Sequence, residues 1–213
     1  MPLKAGEVIA SGGYGCVIGI SEKEVGKVNF KDAMWTEHEG ATQDEFMRIQ
    51  NAIKELDPTE KHFITTTKIV KIDLHKQSLT VRNVKGCFVN WQKKQSRSDV
   101  LRAEEKFKSN SLQMYVQTRV NPTDFMTWNE NQWNHALAGM QLLHKHNICH
   151  NDIHGGNFGE KNGMPVYIDM DGAYWERPLS LEFSKSRGLL LRTYENRYQD
   201  IRGFERMVKK SNE

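Results

Sequence analysis

The sequence predicts an α+β fold, strand-rich in its first half and mainly helical in its second. Three observations predict it. Residues 6–30 read as short strands punctuated by a glycine-rich turn and a polar turn. Two segments, near 46–56 and 131–146, carry apolar residues at helical spacing. After residue 150 a single short apolar strand, Pro165 to Ile168, precedes a long stretch of helical character.

Taken in order, residues 6–20 alternate small and apolar side chains around Gly12, Gly13 and Gly15, the pattern of a hairpin. Ser21 to Glu24 is a polar turn, and Val25 to Phe30 a third strand. Phe46, Ile49, Ile53 and Leu56 share one helical face, and Pro58 stops that helix. Residues 62–91 hold β-type runs, among them Phe63-Ile64-Thr65-Thr66-Thr67 and Lys68-Ile69-Val70-Lys71-Ile72. Residues 92–111 are polar, part helix and part loop: a solvated excursion or a partner-binding insert. Gln113 to Val120 regains strand character, which Pro122 ends. Trp133, Ala136, Leu137 and Met140 stripe the second long helix, and Ile201, Phe204, Met207 and Val208 stripe the last.

A chain of 213 residues suits one domain or two small lobes that fold together. Its 30 basic and 27 acidic side chains leave a net charge of +3, too mild for a nucleic-acid footprint. No apolar run reaches the length of a membrane span. Met1 to Glu7 lacks the basic head and apolar stretch of a secretory signal. Cys16, Cys87 and Cys149 are odd in number and widely spaced, which suggests a reducing, cytoplasmic setting. A monomer without nucleic-acid or membrane partners is expected.

The chemistry concentrates in His150-Asn151-Asp152-Ile153-His154-Gly155-Gly156-Asn157 and in Val166-Tyr167-Ile168-Asp169. The pattern is H-x-D-x-x-x-x-N, then an apolar strand ending in Asp. Phosphoryl transfer needs a carboxylate beside the attacking hydroxyl and oxygen ligands for Mg²⁺. Asp152 suits the first role, and Asn157 and Asp169 suit the second. A polar turn built from Asp and Asn is the plainer alternative. Zinc held by His150 and His154 is another, opposed by Gly155-Gly156 and by the lack of an evident third ligand.

Ile9-Ala10-Ser11-Gly12-Gly13-Tyr14-Gly15-Cys16-Val17 is a glycine-rich hairpin of the kind whose backbone N–H groups can approach phosphates. Lys27 follows on a strand, where it suits contact with the α- and β-phosphates. Glu45, on the next helix, is a partner for Lys27 or the last member of a Thr42-x-x-Glu45 capping box. Glu37 and Glu39 are fallback partners.

This order resembles the protein-kinase-like superfamily. Residues 10–17 are similar to its G-x-G-x-x-G-x-V loop, with Ala10 replacing the first glycine. Glu24-Val25-Gly26-Lys27 resembles V-A-I-K, His150-Asn151-Asp152 resembles H-R-D, and Asp169-Met170-Asp171 resembles D-F-G. The resemblance implies a single minimal two-lobe kinase domain over 1–213, with a β-rich N-lobe to about 120 and a reduced, mainly helical C-lobe from 121. It implies ATP and Mg²⁺, with Asp152 as base, Asn157 and Asp169 as metal ligands, and Lys27 with Glu45 supporting catalysis. Ala10, Ser11, Gly12, Gly13, Tyr14, Gly15 and Val17 would bind nucleotide, and the stretch from Gln117 to Val120 would hold adenine.

Asn151 stands where an arginine usually reads activation-loop phosphorylation, and Asp171 where D-F-G has its glycine. Tyr198 to Phe204 faintly resembles the helix that supports the catalytic loop. The catalytic segment is also similar to that of aminoglycoside kinases. The short chain and motif style resemble the minimal type III effector kinases that phosphorylate the eukaryotic ninety-kilodalton heat-shock chaperone. Small kinases of large DNA viruses and phages are similar too. The expected function is a serine/threonine kinase, secreted into a host cytoplasm. A small-molecule phosphotransferase and a pseudokinase binding module are the alternatives.

Overall fold

The computed structural model describes residues 6–13, 15–30, 43–175 and 190–213. The chain divides into two compact units, one comprising residues 1–41 and 66–119 and the other residues 42–65 and 120–213.

The first unit is built on an antiparallel five-stranded sheet. Its strands are β1 (Val8–Ser11), β2 (Gly15–Gly19), β3 (Glu24–Asn29), β4 (Thr66–Lys71) and β5 (Gln113–Thr118), in the order β1-β2-β3-β5-β4. Gly12 N–H donates to Gly15 O at 2.9 Å and closes the β1–β2 turn. Gly15 has no alternative, since a Cβ there would lie 1.8 Å from Val28 O. Successive strand side chains face opposite ways, so Cys16, Ile18 and Val28 point into one core.

Two helices cover that face, α2 (Leu79–Gln92) and α3 (Arg97–Lys108). Ser78 caps α2 by accepting from Val81 N, and Ser96 caps α3 by accepting from Asp99 N. Val81, Val84, Cys87 and Trp91 form the buried face of α2. Phe30 packs edge-on to Phe88 and Trp91, with ring centroids 5.5 and 5.4 Å apart.

Helix α2 corrects the sequence expectation of β structure across 62–91. Strand pairing there is confined to β4 and a bridge at Phe63, and residues 79–92 are helical. Buried positions three and four apart decide the matter, because only a helix puts them on one face. The excursion at 92–111 resolves into α3 and its flanking turns, and Ala103 of α3 is fully buried.

The second unit holds α1 (Gln43–Leu56), α4 (Glu130–Lys145) and α5 (Leu190–Ser211). A three-stranded sheet orders β6 (Asn121–Pro122), β8 (Phe158–Lys161) and β9 (Met164–Tyr167) as β6-β8-β9, and β7 (Ile148–Cys149) pairs with β10 (Tyr174–Trp175). Phe46, Ile49 and Ile53 bury the apolar face of α1, as their spacing predicts. After α1 the Asp57 carboxylate accepts from the N–H groups of Lys61, His62 and Phe63 at 2.9, 2.6 and 2.9 Å, which folds the chain back toward β9. A reciprocal Asn129–Gln132 capping box starts α4. The core joins Ile53, Phe63, Met140, Leu143, Phe158 and Tyr167 with Phe204 and Met207 of α5. No helix among the described residues is long and apolar enough to cross a membrane.

Candidate active site

The segment 150–157 leaves β7 as a tight loop fastened from beneath by α5. Asp200, fully buried, accepts from His150 N at 2.9 Å, Asn151 N at 2.7 Å and His144 Nε2 at 2.9 Å. Three residues on, Gly203 lets α5 approach the loop, because a Cβ there would lie 2.3 Å from Ile153 O. Asn151 adopts φ +68°, a left-handed backbone that asparagine tolerates better than most residues. That is a physical reason for asparagine rather than arginine at this place.

His150 is completely buried and stacks obliquely on Tyr167. Its Nδ1 faces the Asp152 N–H at 3.3 Å and is therefore the acceptor nitrogen. Burial lowers its pKa despite the opposing pull of Asp200, Asp169 and Asp152, so the ring is held neutral.

Asp152 and Asn157 meet directly. The Asn157 amide nitrogen donates to Asp152 O at 2.8 Å and to Asp152 Oδ2 at 3.0 Å. Both donors of that amide are thus committed, which fixes its orientation and leaves carbonyl Oδ1 as the group Asn157 offers to a ligand. Asn157 is buried, whereas the Asp152 side chain is 43% exposed and accessible to a substrate. Ile168 N donates to Asn157 O at 3.0 Å, tying the strand end that carries Asp169 to the same loop. Behind it, buried Gln50 of α1 donates to Met170 O at 2.9 Å. Asn157 Oδ1 and the Asp169 carboxylate are hard oxygen donors, a set suited to Mg²⁺.

His154 begins the 3-10 turn Gly155–Asn157, its Nδ1 accepting from Gly156 N at 3.1 Å and its Nε2 lying 3.5 Å from Asp152 Oδ2. Among the described residues one trio of potential metal ligands converges: His144, Cys149 and Asp200. Neither His150 nor His154 belongs to it, and its Asp200 is already committed to the three donors above. A cavity of about 450 Å³, lined in part by Glu60, Lys61, His135 and Lys161, contains none of the predicted site residues. Two of its charges satisfy each other, Lys161 lying 2.9 Å from buried Glu60.

The nucleotide-type residues lie mostly in the first unit. The pairings Ala10↔Val17, Val17↔Lys27 and Val25↔Gln117 put Ala10, Val17, Lys27 and Gln117 on one face of the sheet, opposite the face that α2 covers. Ser11 ends β1, Gly12 and Gly13 form the turn, and Gly15 begins β2. Gln117 is buried, its amide 3.2 Å from Thr66 Oγ1. Val120, which packs against Gly159, and Glu45, partly buried on α1, both belong to the second unit. Tyr14, Glu37, Glu39 and Thr42 lie outside the described residues.

Sequence reasoning did not single out Asp200 or Gln50. Each carries a signal in retrospect: a polar side chain on an apolar helical face, Asp200 in line with Phe204 and Met207, and Gln50 beside Ile49 and Ile53. No protein-family model matches the sequence, and no curated protein matches it.

Proposed function

We propose that the chain is an ATP- and Mg²⁺-dependent phosphotransferase with the protein-kinase-like two-lobe fold, acting on serine or threonine hydroxyls of a protein. The observation that carries this reading is the hydrogen-bonded Asp152–Asn157 pair, with the Asp169 strand end tied to the backbone of Asn157. Phosphoryl transfer asks the protein mainly for positioning and charge stabilisation. Asp152, held on a fastened loop yet open to solvent, orients the attacking hydroxyl and accepts its proton. The hydroxyl oxygen bonds to the γ-phosphorus as the bond to the ADP oxygen breaks.

Asn157 and Asp169 would hold Mg²⁺, which when bound neutralises charge on the β- and γ-phosphates. Lys27 and the glycine turn carry a cation and backbone N–H groups of the kind that bind phosphates. Secretion into a host cell, with the large heat-shock chaperone as substrate, is the finer part of the proposal. Motif style supports that part.

The test is incubation of the purified chain with Mg²⁺ and γ-labelled ATP in a eukaryotic lysate, beside Asp169→Ala. A labelled protein band lost in the variant is expected. A band at the chaperone's mass would support the effector role. Equal labelling by Asp169→Ala would refute the metal assignment, and label on small metabolites alone would move the reading to a small-molecule kinase.

A further inference from the structure

Helix α2 meets the glycine hairpin at three positions spaced four residues apart. Asn83 Nδ2 donates to Gly6 O near the hairpin's start. Cys87 shares one buried core cluster with Cys16 on β2. Trp91 Nε1–H donates to Gly13 O, in the turn itself, at 2.8 Å. Positions 83, 87 and 91 form a single helical face. The turn they address is otherwise loosely defined. A Cβ on Gly12 or Gly13 would meet nothing within 4 Å, so among the described residues none packs into the space a side chain would take there. Glycine without packing samples more backbone states than any other residue, and among the described residues the Gly12–Gly15 bond alone closes the turn from within. The Trp91 ring is well placed to hold the Gly13 carbonyl. It is 4% exposed and fixed by Phe30 and Phe88, so its N–H direction is set before any ligand arrives.

We infer that α2 is a positioning helix for the glycine-rich turn, and that Trp91 is a positioning residue that pre-orders the turn for nucleotide phosphates through Gly13 O. This rests on the phosphotransferase reading for the identity of the ligand. Ordering a glycine turn during binding weakens affinity, and a turn ordered in advance avoids that loss. Trp91 acts through Gly13 and is not itself a catalytic residue.

The experiment uses the full chain and two readouts: amide hydrogen exchange at Gly12 and Gly13 without nucleotide, and the Kd for Mg·ATP. Trp91→Phe removes the donor and keeps an aromatic ring. Replacing Trp91 by 3-benzothienylalanine, which exchanges the N–H for sulfur in a ring of similar shape, separates donor loss from packing loss should Trp91→Phe fold poorly. Val89→Ala, on the exposed side of α2, is the control. Loss of one hydrogen bond predicts roughly three- to tenfold faster exchange in the turn and roughly three- to tenfold weaker Mg·ATP binding in both Trp91 variants, with Val89→Ala unchanged. Wild-type exchange in the benzothienylalanine protein would overturn the positioning role. Absence of Mg·ATP binding by the wild-type chain, with exchange still raised in the variants, would overturn the phosphotransferase reading and leave the turn's restraint standing.

Discussion

Asp200→Ala is the most informative single perturbation of the loop that carries Asp152. The carboxylate is fully buried and receives three donors, two of them the backbone N–H groups of His150 and Asn151. Truncation strands both backbone donors under α5, while His144, 13% exposed, can turn to water. A buried donor left unsatisfied costs about 1–3 kcal/mol, and bonds to a carboxylate lie toward the upper end of the range. Two such donors give a loss of about 4 kcal/mol. For a chain of this size that corresponds to a fall in Tm of roughly 8–16 °C. Urea unfolding of wild type and variant measures the loss. Hydrogen exchange localises it, because the His150 and Asn151 amides lose protection before the rest of the second unit. A variant within 1 kcal/mol of wild type, with those amides still protected, would refute the view that Asp200 holds the loop.

Two further outcomes follow from the same geometry. Burial holds His150 and His62 below the ordinary imidazole pKa, with His135 adding to the effect at His62. Unfolded histidine takes up its proton near pH 6.5, so the stability from these neutral rings is complete above that pH and is lost as pH falls below it. The slope is up to about 1.4 kcal/mol per pH unit for each ring. The urea midpoint should therefore be lower at pH 5.5 than at 7.5, and an equal or higher midpoint at 5.5 would contradict the assignment. Two glycines should respond to alanine in opposite directions. Gly203→Ala drives a Cβ against Ile153 O and should destabilise by about 1–3 kcal/mol. Gly86→Ala adds a methyl in open space on α2 and should stabilise by about 0.5–1 kcal/mol, both read from urea midpoints.

Much of this molecule is legible in its residues because periodicity and chemistry coincide. The stripe of Phe46, Ile49 and Ile53 marks α1, and the alternation in Cys16-Val17-Ile18 marks a strand with one buried face. Asp152 and Asn157 stand out because no core requires two such side chains around a glycine pair. Helix α2 was obscured by its composition: Val81, Val84, Phe88 and Val89 carry β propensity, and tertiary packing of Val81, Val84, Cys87 and Trp91 overrode it. The segment 198–204 was legible as support for the catalytic loop, but the individual roles of Asp200 within it and of Gln50 were not. Their partners are backbone groups 50 and 120 residues away, which no local pattern encodes.

The central claim, phosphoryl transfer with Asp152 as the proton acceptor, is tested most directly by comparing Mg·ATP turnover of the wild-type chain and Asp152→Asn against a protein substrate identified by labelling. Removal of a positioned general base predicts a kcat lower by about 10²- to 10⁴-fold with nucleotide affinity unchanged. Equal turnover by Asp152→Asn would contradict the account.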